Sequence, residues 1–410
     1  MSDPLLAASW SIGARLCRDA LWWQDRCNWL GDSMEYVGGT WQVAHRSFGP
    51  DLYAGTSGIA LFLARLHQQT GETLFRTTAL GAARHAVSRL DREPGAMQTG
   101  FYSGTTGIAY ALTEVGDRLE APDLTERTRK VLSGLVEQPV EQGGLDVISG
   151  SAGIIPALLL MAQRYPDLRL LELAERHGRY LIGKACRDAA GWSWDTLNVP
   201  GQRNLTGFSH GTAGIAWALL ELHHATQNNA YAEAAQGAFA YERSCFDSAQ
   251  RNWPDFRIFE GAPATSGTNC SVAWCHGAPG IGLSRLRAFR LTGDAMFRQE
   301  GEAALESTQA FLQRGLSGGA IDFSLCHGLS GDAELLIAAS EMLGQPQYMA
   351  VAADIGRQGI ERYAGQAWPC GVPGGGEAPN LMLGLAGIGH FFLRLHDPAA
   401  NPSVLMVGPA

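Results

Sequence analysis

Two cysteines and three histidines of this 410-residue chain fall at one recurring place in its sequence. The strings are Ser209-His210-Gly211, Cys275-His276-Gly277 and Cys326-His327-Gly328, each leading into a Gly-x-x-Gly helix start. Three of the 11 histidines thus share one register position in consecutive repeats, which scatter does not readily produce. Thiolate sulfur and imidazole nitrogen are zinc ligands, and two Cys with one His leave a fourth coordination position for water or substrate. A thiol arriving there loses its proton, so the chemistry on offer is a sulfur nucleophile activated at neutral pH. Singly, a buried Cys is ordinarily a small hydrophobe and a lone His a bonded core residue; in register, the group outweighs that reading. By spacing alone His276 and His327 are symmetric candidates for the third ligand.

His210 occupies the same register without a cysteine beside it. A histidine facing the same cavity as a thiol-activating metal suits general acid or base work. Asp146 lies four residues before the motif glycine Gly150 and is placed to orient or pair with His210. A carboxylate near a helix N-terminus also has an ordinary stabilising role. Asp51 stands at the same offset before Gly55, so the offset alone does not decide.

The elements that must position these residues are repeats. A small-Gly-x-x-Gly pattern recurs with first glycines at 55, 104, 150, 211, 277, 328 and 384, at spacings of 49, 46, 61, 66, 51 and 56. Such periods mark repeated supersecondary units. Each motif precedes a stretch apolar nearly all round, such as Ile59 to Leu66, as befits a helix buried between two layers. Amphipathic stretches such as Leu74 to Leu90, Leu168 to Ala185 and Ala295 to Arg314 alternate with them and read as outer, solvated helices. The first and last motifs are as apolar as the middle ones, unlike the polar caps of an open solenoid. The expected fold is therefore all-α, an α/α toroid of seven inner and seven outer helices with Gly-rich loops. Residues 1–50 would form a helical lead-in, 51–396 the seven-repeat body and 397–410 a C-terminal tail. Strands should be few and confined to loops. The loops 191–207, 246–269 and 371–379 would rim the site, while Trp192, Trp194 and Trp217 read as packing.

Composition narrows the partners. A net charge of −9 with 17% charged residues and no Lys/Arg cluster argues against nucleic acid and anionic membrane. The start Met1-Ser2-Asp3-Pro4 has no signal-peptide character, no run is long enough to span a bilayer, and eight scattered cysteines make no disulfide framework. A cytoplasmic protein with reduced thiols is the resulting expectation.

The strings Asp51-Leu-Tyr-Ala-Gly-Thr-Ser-Gly58, Asp146-Val-Ile-Ser-Gly150, Gly207-Phe-Ser-His-Gly211, Trp274-Cys-His-Gly-Ala-Pro-Gly280 and Leu325-Cys-His-Gly328 resemble the LanC-like lanthionine cyclases. The resemblance runs from about Trp29 to the tail Pro402-Ser-Val-Leu-Met406 and is densest to the cyclase domain of class II lanthipeptide synthetases. It implies an α/α toroid with one zinc ion held by Cys275, Cys326 and His327, and makes His210 and Asp146 the acid–base residues. The implied reaction is Michael-type addition of a peptide Cys thiol to dehydroalanine or dehydrobutyrine. Ser271 and His276 stand where stand-alone class I cyclases carry Arg and Tyr, so the chain sides with the class II domain and the eukaryotic LanC-like proteins. Asn380 and Leu383 depart from the usual Gly and small hydroxylated residue before repeat seven. The resemblance further implies a dehydrated precursor peptide as substrate, with either a dehydratase as a separate partner or a cyclase-only activity on a pre-dehydrated substrate. The alternatives are addition of a free thiol such as glutathione, and a zinc-containing peptide-binding scaffold without catalysis. An unrelated toroid glycosidase would want paired carboxylates where this register supplies His and Cys.

Overall fold

Each Gly-x-x-Gly motif opens a helix whose start is set by backbone geometry, with no side-chain cap at Gly55, Gly104, Gly150, Gly211 or Gly384. The second glycine of the motif answers to close approach. A Cβ at Gly107 would lie 1.7 Å from the Phe101 carbonyl oxygen, one at Gly280 2.0 Å from that of Trp274, and one at Gly387 1.9 Å from that of Leu381. The motif therefore folds its own approach segment back against the first helical turn.

The computed structural model describes residues 3–92, 98–141, 143–199, 201–257, 269–318 and 322–409. Helix α1 (Pro4–Arg18) leads into two antiparallel hairpins, β1 (Leu21–Trp23) with β2 (Arg26–Asn28) and β3 (Leu30–Val37) with β4 (Thr40–Ser47). Motif helices and partner helices then alternate: α2 (Thr56–Thr70) and α3 (Thr73–Arg92), α4 (Thr105–Arg118) and α5 (Pro122–Val136), α6 (Ser151–Arg164) and α7 (Leu170–Lys184). A third hairpin, β5 (Cys186–Asp188) with β6 (Gly191–Ser193), precedes α8 (Thr212–Thr226) and α9 (Asn229–Ser244). The rest are α10 (Ala278–Thr292) and α11 (Ala295–Gly318), α12 (Leu329–Leu343) and α13 (Pro346–Tyr363), and α14 (Leu385–His396). No helix among the described residues is long and apolar enough to cross a membrane.

Burial follows the hydropathy pattern. In α2 every residue from Thr56 to Leu66 is buried, and in α8 every residue from Thr212 to Leu222. Partner helices bury only a stripe, in α3 Phe75, Thr78, Ala79, Ala82, Ala83 and Ala86 among others. Their C-terminal ends are closed by indoles: Trp29 Nε1 donates to Leu16 O, Trp194 Nε1 to Leu181 O and Trp253 Nε1 to Glu242 O, at 2.8, 2.8 and 3.0 Å. Trp194 and Trp217 are accordingly packed and hydrogen-bonded inside the fold.

The N-terminal segment departs from expectation. Of residues 1–50 only α1 is helical, and 21–47 are hairpins. Tyr36, Val37, Trp41 and Val43 favour strands, and Gly38-Gly39, at φ +61 and +89, make the tight turn between β3 and β4. Nor is α1 a lead-in. It packs on α14, where Ser9 Oγ donates to Gly389 O at 3.0 Å, and so supplies the partner helix that the last motif otherwise lacks.

The chain divides into two compact units. One comprises Met1–Leu135, Gly315–Gly331 and Met349–Leu405; the other comprises Val136–Arg314, Asp332–Tyr348 and Met406–Ala410. Within each, the segments ahead of the motif glycines are stitched by backbone hydrogen bonds. In the first, Cys326 N donates to Met382 O, Met382 N to Tyr53 O and Tyr53 N to Tyr102 O, at 3.0, 3.0 and 2.9 Å. The last repeat is thereby bonded directly to the first. In the second, Val147 N donates to Ser209 O at 3.0 Å and Ser209 N to Cys275 O at 3.2 Å.

Candidate acid–base and thiol sites

Asp146 and His210 meet. His210 Nδ1 lies 2.6 Å from Asp146 Oδ2, with the carboxylate nearly covered and the imidazole about one-third exposed. The other oxygen, Asp146 Oδ1, accepts from Ser149 N at 2.8 Å and Ser149 Oγ at 3.0 Å. Asp51 Oδ1 makes the same turn bond to Ala54 N, and Asn380 Oδ1 to Leu383 N. One Asp146 oxygen thus faces His210 and the other closes the turn ahead of Gly150. Asp51 and Asn380 do the turn work alone; Asp146 also turns an oxygen to a histidine. A carboxylate so fixed favours the imidazole tautomer with its proton on Nδ1.

His276 stacks on His210 with ring centroids 5.9 Å apart and planes at 28°. Burial and then the Arg257 guanidinium push it down to about 3, so the ring is neutral. Asp255, 3.8 Å away, is itself gripped by Arg257. Cys275 is part-exposed, and its carbonyl accepts from both Ser209 N and Ser209 Oγ, each at 3.2 Å. The loops expected to rim this region do approach it: Thr196 Oγ1 donates to His210 O at 2.6 Å, and Asp255 and Arg257 flank His276. Residues 258–268 of the second loop lie outside the described residues.

The other unit holds Cys326, buried, and His327 beside it. His327 Nδ1 is 3.1 Å from Asp322 Oδ2, while Asp322 Oδ1 accepts from Ser324 N at 2.7 Å. Burial raises the Asp322 carboxyl, but the bond and charge of His327 with the Ser324 contacts bring it below its usual range. Asp322 and His327 line a cavity of ≈ 660 Å³ with Tyr363, Cys370 and the glycine-rich segment 371–377, which β3 ties down through Asp32 Oδ2 and Gly376 N at 2.7 Å. Cys370 is pushed up to about 12 by burial, so it stays a thiol; its Sγ contacts Ala378 O at 3.8 Å.

Two thiols and an imidazole are a zinc donor set, and an imidazole bonded through Nδ1 to a carboxylate presents Nε2 as a metal ligand does. As donor types, Cys275, Cys326 and His327 thus suit zinc. Cys275 belongs to one unit and Cys326 and His327 to the other, and among the described residues no three His, Cys, Asp or Glu side chains are gathered to hold an ion. Sequence reasoning missed Asp322 and Glu242. Asp322 was visible as an acid five residues before His327; Glu242, near the C-terminal end of α9, gave no signal.

The comparisons with known proteins agree with one another. A model of lanthionine synthetase C-like proteins matches residues 46–406. The nisin biosynthesis protein NisC of Lactococcus lactis subsp. lactis is 26% identical over 72% of this chain and 75% of its own length. The glutathione S-transferase LANCL1 of Danio rerio is 23% identical over 85% and 82%. The lacticin 481/lactococcin biosynthesis protein LcnDR2 of Lactococcus lactis subsp. lactis is 21% identical over 93% of this chain, which spans only 39% of that protein. The solved nisin cyclase superposes with a TM-score of 0.65 at 20% identity, covering 87% of this chain and 91% of that one. A family 76 α-mannanase of Bacteroides thetaiotaomicron reaches 0.53 at 12% identity over 97% and 96%. These likenesses show the fold class, an all-α chain of the α/α-toroid type.

Proposed function

We propose that this chain, which belongs to the lanthionine synthetase C-like family, adds peptide cysteine thiols to dehydroalanine or dehydrobutyrine and so closes lanthionine or methyllanthionine rings. The observation that carries the reading is the His210–Asp146 pair, a part-exposed imidazole held by a buried, doubly anchored carboxylate.

The reaction needs a thiol deprotonated, a C–S bond formed at Cβ, and the displaced π electrons taken up as an enolate that is protonated at Cα. No proton is gained or lost overall. His210, with Nδ1 fixed on Asp146, has Nε2 to give a proton to Cα, and Asp146 stabilises the imidazolium before that transfer. His276, neutral and stacked on His210, holds the ring plane without adding a charge. Cys275, Cys326 and His327 are the residues that would hold a zinc ion, whose chemistry there is to lower the pKa of an incoming thiol. Asp322 would keep the His327 ring in the coordinating orientation. The substrate is then a dehydrated precursor peptide, the partner a dehydratase that makes its double bonds, and the compartment the cytoplasm, where the thiols stay reduced.

A second reading is favoured by one relative's name, glutathione S-transferase: the same residues would add a free thiol such as glutathione to a dehydroamino acid. One assay separates the two. A dehydrated peptide with an internal cysteine is incubated with and without glutathione, and thioether formation is followed by mass spectrometry after alkylation of residual thiols. Ring closure without glutathione is expected, slowed about 10²–10⁴-fold by His210→Ala, and Cys275→Ala should lose bound zinc by elemental analysis. Wild-type rates in His210→Ala would remove that residue from the chemistry, and unchanged zinc in Cys275→Ala would remove the ligand set.

A further inference from the structure

Three partner helices reach back to the start of a motif helix with one polar side chain each. From α3 it is His85, whose Nδ1 lies 3.0 Å from Thr56 Oγ1, and from α7 His177, whose Nδ1 lies 2.9 Å from Ser151 Oγ. From α9 it is Glu242, and what it meets is backbone. Its Oε1 accepts from Ala213 N at 2.8 Å and from Gly207 N at 3.1 Å. His210 stands between those two residues in sequence.

We propose that Glu242 is the positioning residue of His210, a single carboxyl oxygen fastening both ends of the 207–213 segment and thereby fixing where the imidazole stands against Asp146. The inference rests on the acid–base reading of that pair and adds the part that sets its geometry.

The segment needs such a tie. Gly207 has φ +104, a conformation few residues adopt, and a Cβ there would crowd the Cys275 carbonyl and the His276 ring at 3.1–3.3 Å. Glu242 is fully buried, so removing its side chain would strand two buried N–H groups without acceptors. The segment would then move to find others, and His210 with it. Only Oε1 is used; Oε2 has no hydrogen-bond partner among the described residues. The work asked of Glu242 is therefore that of an acceptor, which an amide oxygen can also do. Its charge state agrees, because burial, opposed by Arg285 and the two N–H bonds, pushes the carboxyl up to about 8. At the starts of α2 and α6 the equivalent tie is a histidine bonded to one hydroxyl.

The test compares Glu242→Gln, Glu242→Asp and Glu242→Ala in the full chain. His210 is observed by NMR of ¹⁵N-histidine-labelled protein through its hydrogen-bonded Nδ1 proton, assigned by its absence in His210→Ala. Glu242→Gln should keep the wild-type signal. Glu242→Asp, one methylene too short to reach both N–H groups, should shift it, as should Glu242→Ala. On a dehydrated peptide, kcat should fall about tenfold or more in Glu242→Asp with KM within about twofold, and Glu242→Gln should restore it. An unmoved His210 signal in Glu242→Asp would overturn the proposal, as would Glu242→Gln behaving like Glu242→Asp, since charge would then be what matters. If the wild type closes no rings, the cyclisation reading fails while the NMR arm still decides the positioning role.

Discussion

Single residues in this chain earn their types through what each atom touches. His177 is pushed down to about 4 by burial and then by Arg176, against an ordinary 6.5. Unfolded chains therefore bind its proton more readily than the native state below pH 6.5. Its stabilisation is complete above that pH and is lost as pH falls toward 4, by on the order of 2–3 kcal/mol. Urea unfolding between pH 7 and pH 4 should show His177→Gln losing less stability than wild type by about that amount; equal pH slopes would mean the imidazole is protonated in the fold. At this scale the sequence was most legible where residue type broke the repeat. His210 stood out by register, whereas Asp146 shared its offset with Asp51, and the two meet at 2.6 Å. Asp322 and Glu242 did not stand out, because an orienting carboxylate needs no fixed spacing from the residue it orients.

Elements are governed by sterics that the sequence does announce. The second motif glycine is demanded by a carbonyl of the approach segment, 1.7 Å from a Cβ at Gly107. Gly107→Ala should cost about 3 kcal/mol in urea unfolding. Gly134→Ala, in the exposed part of α5 with nothing within 4 Å of its Cβ, should raise stability by about 0.5–1 kcal/mol. Equal effects would mean the glycines serve composition rather than contact. The alternation of fully apolar and striped helices was readable from hydropathy and matches α2 through α14 closely. The N-terminal hairpins were not anticipated, although Gly38-Gly39 between runs rich in Tyr, Trp and Val was a turn signal in plain view. A long helical repeat biases the reading of whatever precedes it.

At the level of the whole molecule, chain order and spatial grouping part company. The unit containing the first 135 residues also needs Gly315–Gly331 and Met349–Leu405. A fragment ending at residue 135 should therefore show partial helicity and no cooperative thermal transition by circular dichroism, and a sharp transition would mean that α1 to α5 are self-sufficient. The fold class was legible because seven motifs without polar end caps leave few alternatives, and the bond from Met382 N to Tyr53 O joins last repeat to first. What hydropathy does not encode is that α1 serves as the seventh partner helix, since an amphipathic stripe does not name the surface it will meet.

That pairing sets a clock on synthesis. Ser9 and Gly389 are 380 residues apart; at about 5–20 residues per second the interval between them is roughly 20–80 s. For most of that time α1 is outside the ribosome while α14 does not yet exist. The face of α1 that meets α14 is therefore covered late, after α2 to α13 have been made, and until then only neighbours such as α2 and α3 can shelter the helix.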